Sequence, residues 1–343
     1  MTFAIQKLSK ASVAAAMIAA LAACSTAVAP SGEDAAVEDA EGTSTSEAIV
    51  LSLGHVWPEN DPQAEAVKGF ADAVFAETDG AVQIELFPAG QIGGDRDILE
   101  GLELGTTDMW VGGAGVFSAI SDLGQFFVTP FMFESIDELA AAYSGPLGQA
   151  VRERLDEETA TTVIGFLPRG PRHITSNVAL ENPDDLSGLL IRVPENPMFI
   201  ETFRALGANP TPMAFTEVFT ALQQGTIDGQ ENPLALIKSS GFSEVQSHVN
   251  LTAHIIEPLA IAISDEAWDS LDGALKEKVR DAAEQAASDF LSRLNTEEGQ
   301  LLADLQAEGM TVVKPNTEAF RAATLGVRET TGSEFGELYS LVG

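Results

Sequence analysis

Arg192 is the residue of this sequence whose type and position most clearly call for chemistry. It lies in the apolar run LLIRV at 189–193, which has the composition of a short buried strand that ends at Pro194. A guanidinium stays protonated in a protein, and its planar fork matches the two oxygens of a carboxylate. A buried Arg192 therefore needs an anionic partner, which is either an acid of the same chain or a bound ligand.

Positive charge is scarce in this sequence, and it is concentrated close to Arg192. The chain has 52 acidic and 18 basic residues, so its formal net charge is −34. Three of its 11 arginines, Arg169, Arg172 and Arg192, fall in one short segment. Such a local concentration of arginine in so acidic a protein predicts a site for an anion.

The overall charge and the absent motifs exclude several classes of function. Nucleic-acid binding depends on Lys and Arg that neutralise phosphates, so we expect no nucleic-acid partner. The sequence contains no GxSxG, HExxH, Walker A or CxxC motif, and its four histidines, at 55, 173, 248 and 254, lack paired metal-ligand spacing. We therefore expect no enzyme, no catalytic residues, no metal and no cofactor.

The N-terminus has the features of an export signal. Lys7 and Lys10 precede an apolar run at 11–23, which is too short to span a bilayer. LAAC at 21–24 resembles a bacterial lipobox, which predicts that residues 1–23 are a lipoprotein signal peptide and that Cys24 is lipidated; cleavage near Ala29 is the alternative. Cys24 is the only cysteine, so no internal disulfide can form.

Residues 24–47 are rich in Ser, Thr, Gly, Ala, Glu and Asp. This composition predicts an acidic disordered tether, because it offers almost nothing to bury. The membrane would then be reached only through the N-terminal lipid anchor.

The remaining chain alternates short apolar strands with helices, as in α/β proteins of two domains. A strand at 48–53 leads directly into His55, at the carboxyl end of a strand where ligands of α/β sheets bind. A strand at 108–111 carries Trp110 into a glycine-rich loop that lacks the dinucleotide-binding pattern. The segment 264–308 is strongly helical, with its apolar residues along one face.

Two further side chains have local interpretations. Asp95 is predicted to cap the N-terminus of a helix that ends near Gly105. Trp57 and Trp110 are either core residues or rings that stack on a ligand.

The stretch 188–233 contains an ordered set of motifs with near-constant spacing. They are Ile191-Arg192-Val193-Pro194, Leu206-Gly207-Ala208-Asn209-Pro210, Pro212-Met213-Ala214-Phe215, Glu217-Val218, Ala221-Leu222-Gln223-Gln224-Gly225 and Asp228-Gly229-Gln230-Glu231-Asn232-Pro233. This set closely resembles the substrate-binding subunits of tripartite ATP-independent periplasmic (TRAP) transporters, the DctP-type family.

The resemblance implies an α/β, two-lobed periplasmic-binding-protein-like fold with a long C-terminal helix that links the lobes. Lobe I is expected to comprise 48–168 plus about 258–297, and lobe II 169–257 plus about 298–343. The protein is expected to be a periplasmic monomer that hands its ligand to the membrane subunits of a TRAP permease.

The same resemblance assigns roles at the site. Arg192 would clamp a ligand carboxylate, Arg172 would supply a second cation, Asn232 would donate from its amide, and Phe215 would form an apolar wall. The candidate ligand-binding set is completed by His55, Trp110, Glu231 and His254. His254 either touches the ligand or braces the hinge between the lobes.

The expected function is the capture of a small organic acid for transport. Two arginines permit a dicarboxylate, a keto or hydroxy acid, or a sugar acid. The alternatives are a ligand-binding sensor component of a signalling receptor and a hydrolase on the same fold.

Overall fold

The computed structural model describes residues 48–342, in which eleven strands form two separate β-sheets. The strands are β1 Ile49–Gly54, β2 Val82–Phe87, β3 Met109–Gly113, β4 Thr161–Leu167, β5 Arg172–Ser176, β6 Leu190–Val193, β7 Asn209–Pro212, β8 Gly229–Pro233, β9 His248–Ile255, β10 Leu259–Ser264 and β11 Thr311–Val313. The first sheet has the strand order β2-β1-β3-β10-β4, and the second has the order β11-β9-β5-β8-β6-β7.

Twelve α-helices and several short 3-10 turns connect these strands. The helices are α1 Pro62–Glu77, α2 Asp95–Glu103, α3 Ile136–Tyr143, α4 Pro146–Glu158, α5 Pro197–Ala205, α6 Val218–Gln224, α7 Leu234–Ser239, α8 Asp265–Asp269, α9 Gly273–Ala307, α10 Thr317–Ala323, α11 Leu325–Glu334 and α12 Gly336–Tyr339.

The first sheet begins with parallel strands joined by helical crossovers. β1 pairs in parallel with β2 and β3, and the returning strand β10 lies antiparallel between β3 and β4. Leu51 and Leu53 of β1 are buried, together with Val82 and Ile84 of β2, because alternate side chains of each strand face the core. Because β1 and β3 are parallel, their carboxyl ends lie at the same edge of the sheet.

The second sheet has a polar centre. β8 pairs in parallel with β6 and antiparallel with β5, and all five of its residues, Gly229 to Pro233, are buried. Gln230 lies opposite Arg192 in the strand register, and Asn232 lies opposite His173. Buried polar side chains need hydrogen-bond partners. The polar residues of β8 therefore form hydrogen bonds with side chains of the neighbouring strand β5.

The chain crosses between the two sheets three times, at 168–171, at 256–258 and along α9, which follows β10 and α8 of the first half and precedes β11 of the second. This helix has 35 residues, or about 50 Å at 1.5 Å per residue. It packs against α1 and β4 of the first half and against α7 and β11 of the second. The two sheets and the long helix confirm the predicted α/β, two-lobed fold class.

Local differences from the sequence predictions have identifiable causes. The helical stretch 264–308 divides into α8 and α9, because Asp272 adopts an extended conformation and its carboxylate caps α9 by accepting from the Leu275 N–H. The predicted capping role of Asp95 is wrong. Gly94 is the N-cap of α2, and the Asp97 carboxylate accepts from the Gly94 N–H, which leaves the Asp95 side chain free for another partner.

The predicted signal peptide at 1–23, the tether at 24–47 and Cys24 lie outside the described residues. Within residues 48–342, no helix is both long and apolar enough to cross a membrane.

Candidate functional site

A cavity of about 330 Å³ lies between the two sheets. The first half contributes Trp57 after β1, Asp95 at the start of α2, and Gly113 and Gly115 at the end of β3. The second half contributes Arg172, Arg192, Phe215 and Asn232. Its volume is at the small end of the range for ligand sites, about 300–1,000 Å³, which suits a small molecule.

Arg192 extends into this cavity from the end of strand β6. Its guanidinium has no carboxylate partner among the described residues. Its guanidinium donates from Nε and Nη2 to the Met213 carbonyl oxygen at 3.1 and 2.8 Å, and its carbon lies 5.9 Å from the Phe215 ring centroid. Among the described residues, no carboxylate oxygen lies within 4.0 Å of it. Burial lowers the pKa of Arg192 to about 10, so the side chain carries its charge at neutral pH while only 3 % exposed.

Arg172, in contrast, is held by acids of its own chain. Its Nε and Nη2 donate to the two carboxylate oxygens of Glu231 at 2.5 and 2.6 Å, and its Nη1 donates to Glu257 at 2.8 Å. Burial alone would raise the pKa of Glu231, but the charge and hydrogen bonds of Arg172 outweigh burial and lower it to about 2. This ion pair is therefore fully charged at physiological pH.

Glu257 joins the two crossover segments at the base of the cavity. It lies just after β9, accepts from Arg169 Nη1 at 2.7 Å and from Arg172, and also accepts from the Gly115 N–H at 3.3 Å. A Cβ at Gly113 would approach Arg169 and Glu257 to about 3 Å. The glycines after Trp110 thus make room for an internal ion pair.

Asn232 is fixed in orientation by neighbours on both sides of its amide. Its Oδ1 accepts from Arg172 Nη2 at 3.1 Å, and its Nδ2 donates to Gln230 Oε1 at 2.6 Å. Gln230 Nε2 in turn donates to Thr175. Because an amide nitrogen carries two hydrogens, Asn232 keeps one donor for the cavity.

Asp95 and Trp110 form a second polar element at the cavity wall. Trp110 Nε1 donates to Asp95 Oδ1 at 2.9 Å, and the Trp110 ring is fully buried against Phe117. Burial raises the pKa of Asp95 to about 6, against the lowering effect of this hydrogen bond and of nearby arginines. Asp95 lines the cavity, whereas Trp110 lies behind it and positions the carboxylate.

The two histidines of the predicted set do not line the cavity. His55 is buried and stacked on Trp57, with ring centroids 5.3 Å apart, and burial lowers its pKa to about 4. His254 is buried behind Glu231, with its Nε2 3.3 Å from a Glu231 oxygen and its Nδ1 2.8 Å from the Thr252 hydroxyl. Glu231 also lies outside the lining and reaches the cavity only through Arg172.

The structure thus brings four of the eight predicted residues together at the cavity, namely Arg172, Arg192, Phe215 and Asn232. Sequence reasoning had put Arg169 in the arginine cluster but not in the site, and it missed Glu257. The available signal for Glu257 was its place beside a proline between two strands that belong to different sheets. Within residues 48–342, no group of three or more His, Cys, Asp or Glu residues could hold a metal ion.

Comparison with known proteins places this geometry in a family. Residues 53–330 match the model of DctP, described as bacterial extracellular solute-binding protein, family 7. A solute-binding protein from Roseobacter denitrificans is 36 % identical over 279 residues, which cover 80 % of this chain and 84 % of the relative. The 2,3-diketo-L-gulonate-binding periplasmic protein of Escherichia coli is 32 % identical over 273 residues, covering 79 % and 83 %.

Solved structures agree with this assignment. A TRAP periplasmic solute-binding protein from Roseobacter denitrificans with bound L-galactonate superposes with a TM-score of 0.79 at 34 % identity, covering 84 % of this chain and 99 % of that one. A TRAP protein from Polaromonas bound to D-erythronate gives a TM-score of 0.82 at 32 % identity, covering 86 % and 98 %. The chain therefore belongs to the DctP family of bacterial extracellular solute-binding proteins, the periplasmic substrate-binding subunits of TRAP transporters, which are not enzymes.

Proposed function

We propose that this protein captures a small organic acid by clamping its carboxylate with Arg192 and delivers it to a TRAP-type membrane permease. The observation that carries the proposal is the state of Arg192. It is a buried guanidinium at the wall of a cavity, and among the described residues it donates to one backbone carbonyl rather than to a carboxylate. A buried charge without a counterion is costly, and a ligand carboxylate removes that cost.

The surroundings of Arg192 supply the remaining contacts. Arg172 and Asn232 present donors from β5 and β8, and Phe215 excludes water from one side of the charge pair. Hydrogen bonds to charged groups contribute roughly 1.5–3 kcal/mol each. A bidentate carboxylate contact and one amide contact can therefore supply much of a micromolar affinity, about −8 kcal/mol.

The relatives support an acid as the ligand. L-galactonate, D-erythronate and 2,3-diketo-L-gulonate, which the compared proteins bind, each carry a carboxylate. Arg192 would bind the carboxylate of this protein's own ligand in the same way.

Delivery requires a change of shape that the permease can recognise. We take the lobes to divide at 168–169, near 257–258 and, within α9, near 297–298, so that a ligand between the sheets bridges the two halves. Closure follows if the ligand binds the closed arrangement more tightly than the open one. A lipid at Cys24 and a 24–47 tether would hold the monomeric protein near its membrane partner, since a tether raises effective concentration.

Isothermal titration of the purified protein against a panel of organic acids tests the clamp. We expect micromolar or tighter binding of at least one acid, and a loss of at least about 100-fold, or about 3 kcal/mol, in Arg192→Ala. Arg204→Ala is the matched control, because Arg204 pairs with Glu201 on an exposed helix face. Equal affinity of Arg192→Ala and the unmodified protein would show that Arg192 does not bind the ligand carboxylate.

A further inference from the structure

We propose that Glu231, Glu257 and Asp95 restrict the ligand to a single carboxylate, so that the cavity takes hydroxy monocarboxylates and rejects dicarboxylates of the same length. This inference rests on the proposed function, since it concerns the same cavity. It assigns to three acids of the site a role in choosing the charge of the ligand.

The first step is the charge of the site. Three buried guanidinium groups, from Arg169, Arg172 and Arg192, meet two buried carboxylates, from Glu231 and Glu257. Three positive charges and two negative charges leave one positive charge. One ligand carboxylate makes these five groups neutral, and because the Asp95 carboxylate lines the same cavity and adds a further negative charge, a second ligand carboxylate has no cation left to neutralise it.

The second step is the location of that remaining charge. Arg172 is engaged by both oxygens of Glu231, and Glu257 is shared by Arg172 and Arg169 at 2.8 and 2.7 Å. These acids are 0 and 2 % exposed, so water does not screen their contacts. Arg192 is therefore the guanidinium of the three that a ligand carboxylate can neutralise without displacing an internal acid.

The third step is the acid that the first half contributes to the cavity lining. Asp95 faces the cavity there, and its Oδ1 already accepts from Trp110. Like charges in a partly buried site repel each other, whereas a ligand hydroxyl can donate to the Asp95 carboxylate. Asp95 thus favours a hydroxyl group over a second carboxylate on the part of the ligand that lies beside it.

The rim does not offer a compensating cation. Arg96 lies at the cavity mouth, but it pairs with Glu100 at 2.8 Å and its side chain is 51 % exposed. Exposed pairs of this kind contribute little. Asp97 and Glu195, which also line the mouth, add negative charge beside it.

The experiment compares acids that differ only at one end. Isothermal titration of the purified protein is performed with D-gluconate against D-glucarate and with D-erythronate against meso-tartrate. We expect the monocarboxylate of the better-binding pair to bind at least 100-fold more tightly than its dicarboxylate. A dicarboxylate that binds equally well or better overturns the inference.

Three substitutions test whether the selectivity comes from acids at the cavity or from the net charge of the whole protein. Glu257→Gln adds one positive charge to the cavity and should shift the affinity ratio toward the dicarboxylate by at least tenfold. Asp95→Asn should shift it in the same direction without breaking an internal ion pair, so it serves if the first variant does not fold. Glu157→Gln makes the same charge change at an exposed position of α4 outside the cavity, and it should leave the ratio unchanged.

The outcomes distinguish the two proposals. If both acids of a pair bind equally, or if neither cavity variant shifts the ratio, the selectivity inference is wrong while the carboxylate clamp stands. If no organic acid binds at all, the proposed function is wrong and the selectivity is wrong with it.

Discussion

Asn196 connects the two halves of the cleft through its contact with Gly115. Its Nδ2 donates to the Gly115 carbonyl at 2.7 Å and to the Gly124 carbonyl at 3.1 Å, while its Oδ1 accepts from the Met198 N–H and caps α5. Asn196 is 1 % exposed and does not depend on a ligand for any of these bonds. A single side chain thus begins a helix of one half and holds two backbone carbonyls of the other.

We expect Asn196→Asp to weaken ligand binding by opening the cleft. Aspartate still caps α5, but it replaces a donor with an anion that faces two carbonyl oxygens. Ligand affinity should fall about 10- to 100-fold, with most of the change in the dissociation rate; because Asn196 lines the cavity, the added negative charge also repels the ligand carboxylate. Stopped-flow kinetics on the acid identified by titration would measure both rates.

The control for this variant is Asn316→Asp. Asn316 also caps a helix, α10, through a bond from the Ala319 N–H, but it is exposed. It should leave both rates unchanged. An unchanged dissociation rate in Asn196→Asp would show that this contact does not hold the halves together.

The ion pair between Arg172 and Glu231 predicts a large stability effect. In Glu231→Gln the buried guanidinium loses its bidentate counterion, and breaking a buried pair costs about 3–5 kcal/mol. Urea unfolding at pH 7 should show this loss. Glu201→Gln removes the exposed pair with Arg204 and should cost less than about 1 kcal/mol; similar losses in the two variants would contradict the assignment.

The ion pair between Arg172 and Glu231 also determines how the stability of the protein changes at low pH. The pKa of Glu231 falls from an ordinary 4.5 to about 2 in the folded protein. The unfolded state therefore binds more protons in this window, so the stabilisation is complete above pH 4.5 and is lost as the pH falls toward 2. Urea unfolding between pH 5 and 3 should show the unmodified protein losing stability more steeply than Glu231→Gln.

The pKa shift of Asp95 should make the stability of the protein depend on pH in the opposite direction. Burial raises its pKa from an ordinary 3.8 to about 6, so the folded state binds more protons between these values and stability falls as the pH rises through them. Asp95→Asn keeps an acceptor for Trp110 and should gain stability relative to the unmodified protein between pH 4 and 7. The upper bound is about 3 kcal/mol, and a constant difference across this range would contradict it.

Ligand binding should also be linked to protonation of Asp95. A carboxylate at Arg192 adds negative charge to the cavity that Asp95 shares with Arg169, Arg192 and Glu257, and this raises the pKa of Asp95 further. Affinity for a monocarboxylate such as gluconate should rise as the pH falls from 8 to 6, by about tenfold for each unit of additional shift. Titration in buffers of different ionisation enthalpy would detect proton uptake, which should vanish in Asp95→Asn.

Periodicity and turn residues were sufficient to predict β1, β3 and the long helical segment. β1, β2, α1 and β10 follow regular apolar patterns because one face of each lies in a hydrophobic core. β5 and β8 were missed as strands. Both carry polar side chains toward each other and toward the cavity, so their sequences resemble turns although their backbones pair within a sheet.

The sequence by itself determined that this is an acidic α/β protein of the solute-binding type with a buried arginine at 192, because residue types, their periodicity and one ordered set of motifs are local properties of the chain. Only the tertiary structure decided which arginine is available to a ligand. Arg172 and Arg192 look equivalent in sequence, but Glu231 and Glu257, which neutralise Arg172, lie 59 and 85 positions away along the chain. Charge pairing depends on distances in space, and folding alone brings these groups within hydrogen-bonding distance.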